Sequence, residues 1–349
     1  MDRMEVRISL TKLLLALIVT IVPLSILGLA LTQRSDKSID SAVGSNFRSI
    51  AQLYATQVNS YIRERLTDVG LLSSNPAVIA AASAKAGAKG NLDEEASAIL
   101  RQHKSIDPRF LSITVTNADA NVVASSQKPA QTSFAQDAHW QAVYNNGQGA
   151  TKISDIIEDE ITKSDYVNLG VPILGAQGQT VGVLNAQISL NDLLTPFRQN
   201  QLEGGAKAAL VNDDGMIVSG PNADVFARLK MPEFDYVHDA LGANHGAQNG
   251  WVMASGDRGD AIVGYAGTGL KKTFPNMAWV VTVTQDEHQA SAPIRLLERF
   301  AIIMVILALF MLTLLGVYYY LHRAQRYGYI EEESATPETR GGAAASAHV

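Results

Sequence analysis

The sequence contains no cysteine. That excludes disulfides, thiolate zinc sites, covalently attached c-type haem and a cysteine nucleophile. Any domain held outside the cytoplasm must rely on its core alone. Charge is also scarce, at 18% of residues against 47% hydrophobic. Lys and Arg form no long run, and the formal net charge is -6. The basic stripe that a nucleic-acid partner requires is therefore missing. Among His103, His139, His238, His245, His288, His322 and His348, no two stand three or four residues apart. With no H-E-x-x-H, G-x-S-x-G or G-x-x-x-x-G-K-[ST] motif either, the sequence predicts no catalytic residues, no metal and no cofactor.

Two stretches lack charge altogether, Leu13–Leu31 and Phe300–Leu321. At about 1.5 Å per helical residue, each spans roughly 30 Å of hydrocarbon. Arg3, Arg7 and Lys12 precede the first, and no A-x-A cleavage site follows it, which predicts an anchor rather than a signal peptide. Tyr318, Tyr319 and Tyr320, followed by His322 and Arg323, suit a span leaving the bilayer. The expected topology is two-pass in the inner membrane. Both ends, 1–12 and 322–349, are cytoplasmic, and 32–299 lies in the periplasm or outside the cell.

Between the spans, Ile39, Val43, Phe47, Ile50, Tyr54, Val58, Ile62, Leu66 and Val69 recur in steps of three and four. That is the stripe of one long helix, expected over 33–85. After Asp107-Pro108 the period changes. Ile113 to Thr116 and Val122-Val123 flank Asn117-Ala118-Asp119-Ala120-Asn121, which reads as a β-hairpin. Ala209 to Val211 and Met216 to Val218 flank Asn212-Asp213-Asp214-Gly215 in the same manner. Each half then has a closing strand ending in glutamine, Val181–Gln187 and Trp279–Gln285. The hairpins are offset by 95 residues (117 to 212), which points to an internal duplication. The predicted fold class is α+β: one long helix carrying two antiparallel-sheet modules, a distal one at 86–195 and a proximal one at 196–290.

The order of several segments resembles the double Cache domain, an extracytoplasmic sensor module of bacterial receptors. They are Trp140–Gly149, Ile153-Ser154-Asp155, Val171-Pro172-Ile173 and Val181-Gly182-Val183-Leu184. The resemblance implies two PAS-like modules and a ligand site in the distal one. Carried over position by position, that site comprises Trp140, Tyr144, Asp155, Tyr166, Asn168 and Gln187. Tyr166 and Asn168 are two apart on a strand and so share a face. Trp140 and Tyr144, four apart on a helix, read equally as core. Members of the family that bind free amino acids carry Arg, Tyr and Asp where this chain has Ala138, Gln141 and Gln187. The expected ligand is accordingly a neutral or weakly cationic small molecule rather than an α-amino acid. Asp155, Glu158, Asp159 and Glu160 cluster without EF-hand spacing and read as a solvated turn.

Residues His322–Val349 include Glu331-Glu332-Glu333 and Gly341–Ala345, a disorder-prone composition with no room for an effector domain. The function expected from the sequence is that of a homodimeric membrane sensor. It would signal in trans to a membrane-bound kinase, cyclase or chemotaxis partner. The competing expectation is a structural or assembly subunit of the envelope whose Cache domain has degenerated.

Overall fold

The computed structural model describes residues 10–84, 92–159, 164–199, 202–243, 248–256, 259–290 and most of 302–320. The chain divides into two compact units, Lys37–Ala290 and a second formed by Met1–Asp36 with Ser291–Val349. In the second unit, the described residues of 302–320 are helical, and Ile302, Ile306, Phe310, Leu314 and Tyr318 are exposed. Among the described residues, no helix is long and apolar enough to cross a membrane. The expected spans fall wholly or partly outside that set: the side chains of 13–31 are not described, nor are several positions of 300–321. The tail 322–349 also lies outside it.

Helix α1 runs from Leu10 to Ser73. Its buried stripe is Gly44, Phe47, Ala51, Ala55, Val58, Ile62, Arg65, Val69 and Leu72, again in steps of three and four. The helix expected over 33–85 is therefore two helices. It stops at Ser73 because Asn75 accepts the N–H of Ala77 and Pro76 opens α2 (Pro76–Ser83). A proline at the first helical turn leaves no donor unsatisfied, whereas inside a continuous helix it would break the ladder.

Two six-stranded antiparallel sheets lie along α1. The first contains β1 (Phe110–Asn117), β2 (Val122–Ser125), β3 (Lys152–Ile153), β4 (Ile157–Glu158), β5 (Asp165–Leu174) and β6 (Thr180–Ser189), in the order β2-β1-β6-β5-β3 with β4 also on β5. The second contains β7 (Lys207–Val211), β8 (Ile217–Gly220), β9 (Ala223–Asp224), β10 (Asn249–Gly256), β11 (Gly259–Gly267) and β12 (Val280–Asp286), in the order β10-β11-β12-β7-β8-β9. In both, a hairpin pairs with the closing strand, which pairs with the strand before it. The turns match atom for atom. Asn117 Oδ1 accepts the N–H groups of Asp119 and Asn121 at 3.1 and 3.0 Å, and Asn212 Oδ1 accepts those of Asp214 and Met216 at 3.1 and 2.8 Å.

The fourth residue of each turn is left-handed: Ala120 at φ 62° and Gly215 at φ 80°. A methyl on Gly215 would also collide with the Phe234 ring. Gly215→Ala is therefore expected to destabilise the domain by about 1–3 kcal/mol, from left-handed strain and overpacking together. A lowered denaturant midpoint at unchanged m-value would show it.

Helix α1 bridges the sheets. Tyr61 donates to the carbonyl of Ser189 at 2.6 Å in the first, and Gln52 Oε1 accepts from Asn249 Nδ2 at 2.6 Å in the second. Burial pushes the Tyr61 hydroxyl up to about 12. Arg65, 1% exposed, stacks over Tyr61 at 4.7 Å and faces Asp107 at 3.5 Å. Burial alone would raise the Asp107 carboxyl. Hydrogen bonds from Arg109 and the charge of Arg65 outweigh it, so the net shift is downward. A depressed carboxylate stabilises the fold above its unfolded pKa, and that stability is lost as pH falls through the folded pKa. Asp107→Asn should hence destabilise the protein most above about pH 5, by progressively less as pH falls below about 4, and converge with the parent only below the depressed folded pKa. Urea midpoints measured from pH 3 to 7 check this, and parallel curves would disprove the role.

Candidate ligand site

The first sheet shows α1 and α2 one face and a polar face on the other side. Ladder registers arrange that polar face in rows: Asn168 beside Gln187 beside Ser112, then Gly170 beside Asn185 beside Thr114 beside Ser125, then Val183 beside Thr116. Alternation along the strands dictates this, since Ile113, Val115, Leu184, Ala186 and Ile188 point into the core. Beyond helix α3 (Glu94–Ile106), helix α4 (Ala138–Tyr144) and the segment 127–134 cover the rows around a cavity of about 260 Å³.

Asp137 starts α4 by accepting the Trp140 N–H at 2.7 Å. Trp140 then turns its indole N–H to Thr116 Oγ1 at 2.7 Å and stacks on Tyr144 with centroids 4.9 Å apart. Gly170 has no side chain because Val143 and His139 occupy that space; a methyl there would come within 3.0 Å of His139 Nε2. Burial pushes the His139 imidazole down, with Asp137 opposing, so it is neutral at neutral pH. Ser112 Oγ donates to Gln187 Oε1 at 2.8 Å. Three buried polar atoms of residues around the cavity have no hydrogen-bond partner among the described residues: Asn168 Oδ1, Asn185 Oδ1 and His139 Nε2. An open cavity walled by an aromatic ring, hydroxyls and amides is a place for a small ligand or ordered water.

Of the six residues expected at the site, the structure brings Trp140, Asn168 and Gln187 onto the cavity wall. Tyr144 stands behind Trp140 and supports it. Tyr166 shares the face of Asn168 but lies roughly 7 Å further along the strand, where β4 pairs with β5. Asp155 is turned away from the cavity. Its Oδ1 accepts from Asn276 Nδ2 at 3.1 Å, and the same amide donates to the Ile153 carbonyl, joining the two modules. Sequence reasoning missed His139, Asn185 and the hydroxyls of Ser112, Thr114 and Thr116. The alternation Ser112-x-Thr114-x-Thr116 was their signal. It also missed two charged wall residues, Lys128 and Asp137. The exclusion of amino acids, drawn from Ala138, Gln141 and Gln187, does not follow from the geometry by itself.

The second module carries a separate pocket of about 650 Å³, with Phe234, His238, Leu241, Gln248, Lys271 and Trp279 in its lining. On the matching face Ala209, Val211, Val263, Tyr265 and Val280 pack with Met231, Phe234 and Val237 in an apolar cluster, while Thr282 and Thr284 stand where the first sheet has Asn185 and Gln187. Among the described residues, no group of three acidic or imidazole side chains could hold a metal ion.

A family model described as a Cache domain matches residues 35–294. The chain belongs to the Cache domain family. No curated protein matches the sequence. Solved Cache-type structures share the fold. The sensory domain of the Campylobacter jejuni chemoreceptor Tlp3 (CcmL), with isoleucine bound, has a TM-score of 0.54 at 12% identity, covering 73% of this chain and 97% of that one. The ligand-binding domain of the Pseudomonas aeruginosa PAO1 amino acid chemoreceptor PctC, in complex with GABA, has a TM-score of 0.52 at 19% identity, covering 70% and 100%. That of the Pseudomonas fluorescens chemoreceptor CtaA, in complex with L-isoleucine, has a TM-score of 0.51 at 16% identity, covering 74% and 98%. At such identities the likeness is one of fold, and the Cache modules of this chain are the two sheets described above.

Proposed function

We propose that this chain is a membrane-anchored, extracytoplasmic sensor whose distal Cache module binds a small molecule. The observation that carries the reading is the contrast between the duplicated sheets. One lines its cavity with hydroxyls, amides and the Trp140 ring; the other packs Ala209, Val211, Val263, Tyr265 and Val280 against Met231 and Phe234. The chemoreceptor domains that share the fold are described in complex with GABA or isoleucine, which supports a small-molecule ligand here.

The sensor domain is taken as 32–299, with its distal module at 86–195 and proximal module at 196–290, and with spans at 13–31 and 300–321. A change in the distal module passes along α1, continuous from Leu10 to Ser73, toward the membrane and a partner protein there. Homodimerisation and a kinase, cyclase or chemotaxis partner belong to this reading. A thermal-shift screen of the intact protein against small metabolites tests the binding. A ligand at 100 times its Kd adds about 2.7 kcal/mol of stability. If no metabolite shifts the transition, the degenerate structural-subunit reading takes its place. For topology, a reporter fused at Val349 should be active only in the cytoplasm, and periplasmic activity would refute the two-pass arrangement.

A further inference from the structure

The pocket of the proximal module lies where three connections meet. These are the turn 212–215 between β7 and β8, the segment 268–279 between β11 and β12, and the helix Phe234–Ala243. About 650 Å³ is open there, against about 260 Å³ in the distal cavity. Its base is apolar. Ala278, Trp279 and Val280, leading into β12, are buried, and the helix adds Phe234 and Leu241, seven apart and so on one face. An apolar group that enters such a base gains by leaving water.

The rim is charged, with both signs. Lys271 Nζ lies 3.0 Å from Asp213 Oδ2, so these two satisfy each other. Their sequence neighbours, Lys272 and Asp214, also line the pocket and are exposed. Among the described residues, neither of these side chains has a hydrogen-bond or ion-pair partner. Consecutive Cα atoms are about 3.8 Å apart, so the unpaired ammonium and carboxylate flank the bridged pair on one rim. Because they do not pair with each other, a gap separates them. A ligand with one charge would leave the opposite rim charge without a complement. A free amino acid carries both its charges on one carbon, whereas a peptide separates them by roughly 3.3–3.6 Å for each added residue. A peptide therefore reaches both sides of the bridge. His238, the remaining titratable residue of the lining, is exposed, with Asp239 at 3.9 Å.

We propose that the proximal pocket binds a short peptide with apolar side chains. The side chains rest on the base, the carboxyl terminus meets Lys272 and the amino terminus meets Asp214. This second site goes beyond the sensor reading and does not depend on what occupies the distal cavity. Exposed ion pairs contribute little, so the base supplies most of the affinity and the rim charges set the direction of the chain. Neutralising either one, by Lys272→Gln or Asp214→Asn, should weaken binding about two- to fivefold. Neither change breaks an ion pair of the unliganded protein, so its stability should not move. Gly242 offers a larger effect. It lines the pocket on the helix Phe234–Ala243, and a Cβ there would meet nothing within 4 Å. Gly242→Trp should fill the pocket and weaken binding about tenfold or more. The helix loses a glycine, so the unliganded protein should be at least as stable.

The experiment is calorimetric titration of the intact protein with dileucine, leucyl-phenylalanine and trileucine. Free leucine, N-acetyl-dileucine and dileucine amide are run beside them, followed by the three variants. Support is binding of the peptides more tightly than leucine, weakened by a block at either terminus and lost in Gly242→Trp at undiminished thermal stability. Should Gly242→Trp lower the melting temperature, Lys272→Gln and Asp214→Asn decide in its place. Peptide binding that every folded variant retains in full overturns the site. Leucine bound as tightly as the peptides overturns the ligand class, and blocked peptides bound as tightly as open ones overturn the capture of the termini. If no peptide binds, the proposal falls, and the sensor reading of the distal cavity stands or falls by its own screen.

Discussion

Trp140→Ala is expected to abolish ligand-dependent stabilisation and to lower the unliganded stability by about 3–5 kcal/mol, the usual loss for a buried tryptophan. Both effects arise because Trp140 has two roles. It is 8% exposed and packs with Val143, Val183, Ala120, Phe134 and Tyr144, so its removal opens a hole beneath α4. It also forms part of the cavity wall. Trp140→Phe separates the two. The ring still fills most of the hole, but the N–H that holds Thr116 Oγ1 is gone. A folded Trp140→Phe protein with weakened ligand binding assigns Trp140 to the site, whereas unchanged affinity leaves it a packing residue. The measurements are denaturant midpoints without ligand and the thermal shift with it.

The second large effect concerns the contact of α1 with the proximal sheet. Gly264→Val is expected to destabilise the domain by 3 kcal/mol or more, at the upper end of overpacking losses of about 1–3 kcal/mol. Gly264 lies on β11 beneath the backbone of α1. A side chain there would run into the main chain of Phe47 and Arg48, which cannot move aside as a side chain does. Gly44 makes the reciprocal approach, with the Trp251 indole filling the space where its side chain would be. Separating helix from sheet would expose Ala51, Ala55 and Ile262 to water. Gly264→Ala should produce a smaller loss in the same direction. Urea unfolding of both variants measures it, and a Gly264→Val protein as stable as the parent would show that α1 does not press on β11.

Much of the architecture could be read from local pattern. The three-and-four stripe from Val43 to Val69 announced α1, and the Asn-x-Asp turns announced both hairpins, because helix period and turn chemistry are properties of neighbouring residues. The break at Ser74–Asn75 was equally local, carried by the Asn75 cap and Pro76, but a continuous stripe concealed it. The duplication was legible for the same reason, and the matched strand orders of the two sheets agree with it.

The candidate site was legible only in half. Trp140, Asn168 and Gln187 are on the cavity wall, whereas Tyr144, Tyr166 and Asp155 are not. Parity along a strand tells which face a residue shares, not how far along that face a covering helix reaches. Tyr166 therefore falls beyond the cavity, and Asp155 leaves it for Asn276 in a segment more than a hundred residues away. By itself the sequence determined the helix, the two hairpins, the paired modules and the absence of thiol chemistry, because each depends on residue type and short spacing. Only the tertiary structure decided which residues line the polar cavity of the first sheet and which close the matching face of the second. That depends on whether the segment crossing the sheet brings His139 and Trp140 over Asn168 and Asn185, or Met231 and Phe234 over Val263 and Tyr265. Local sequence pattern does not encode that packing of distant side chains.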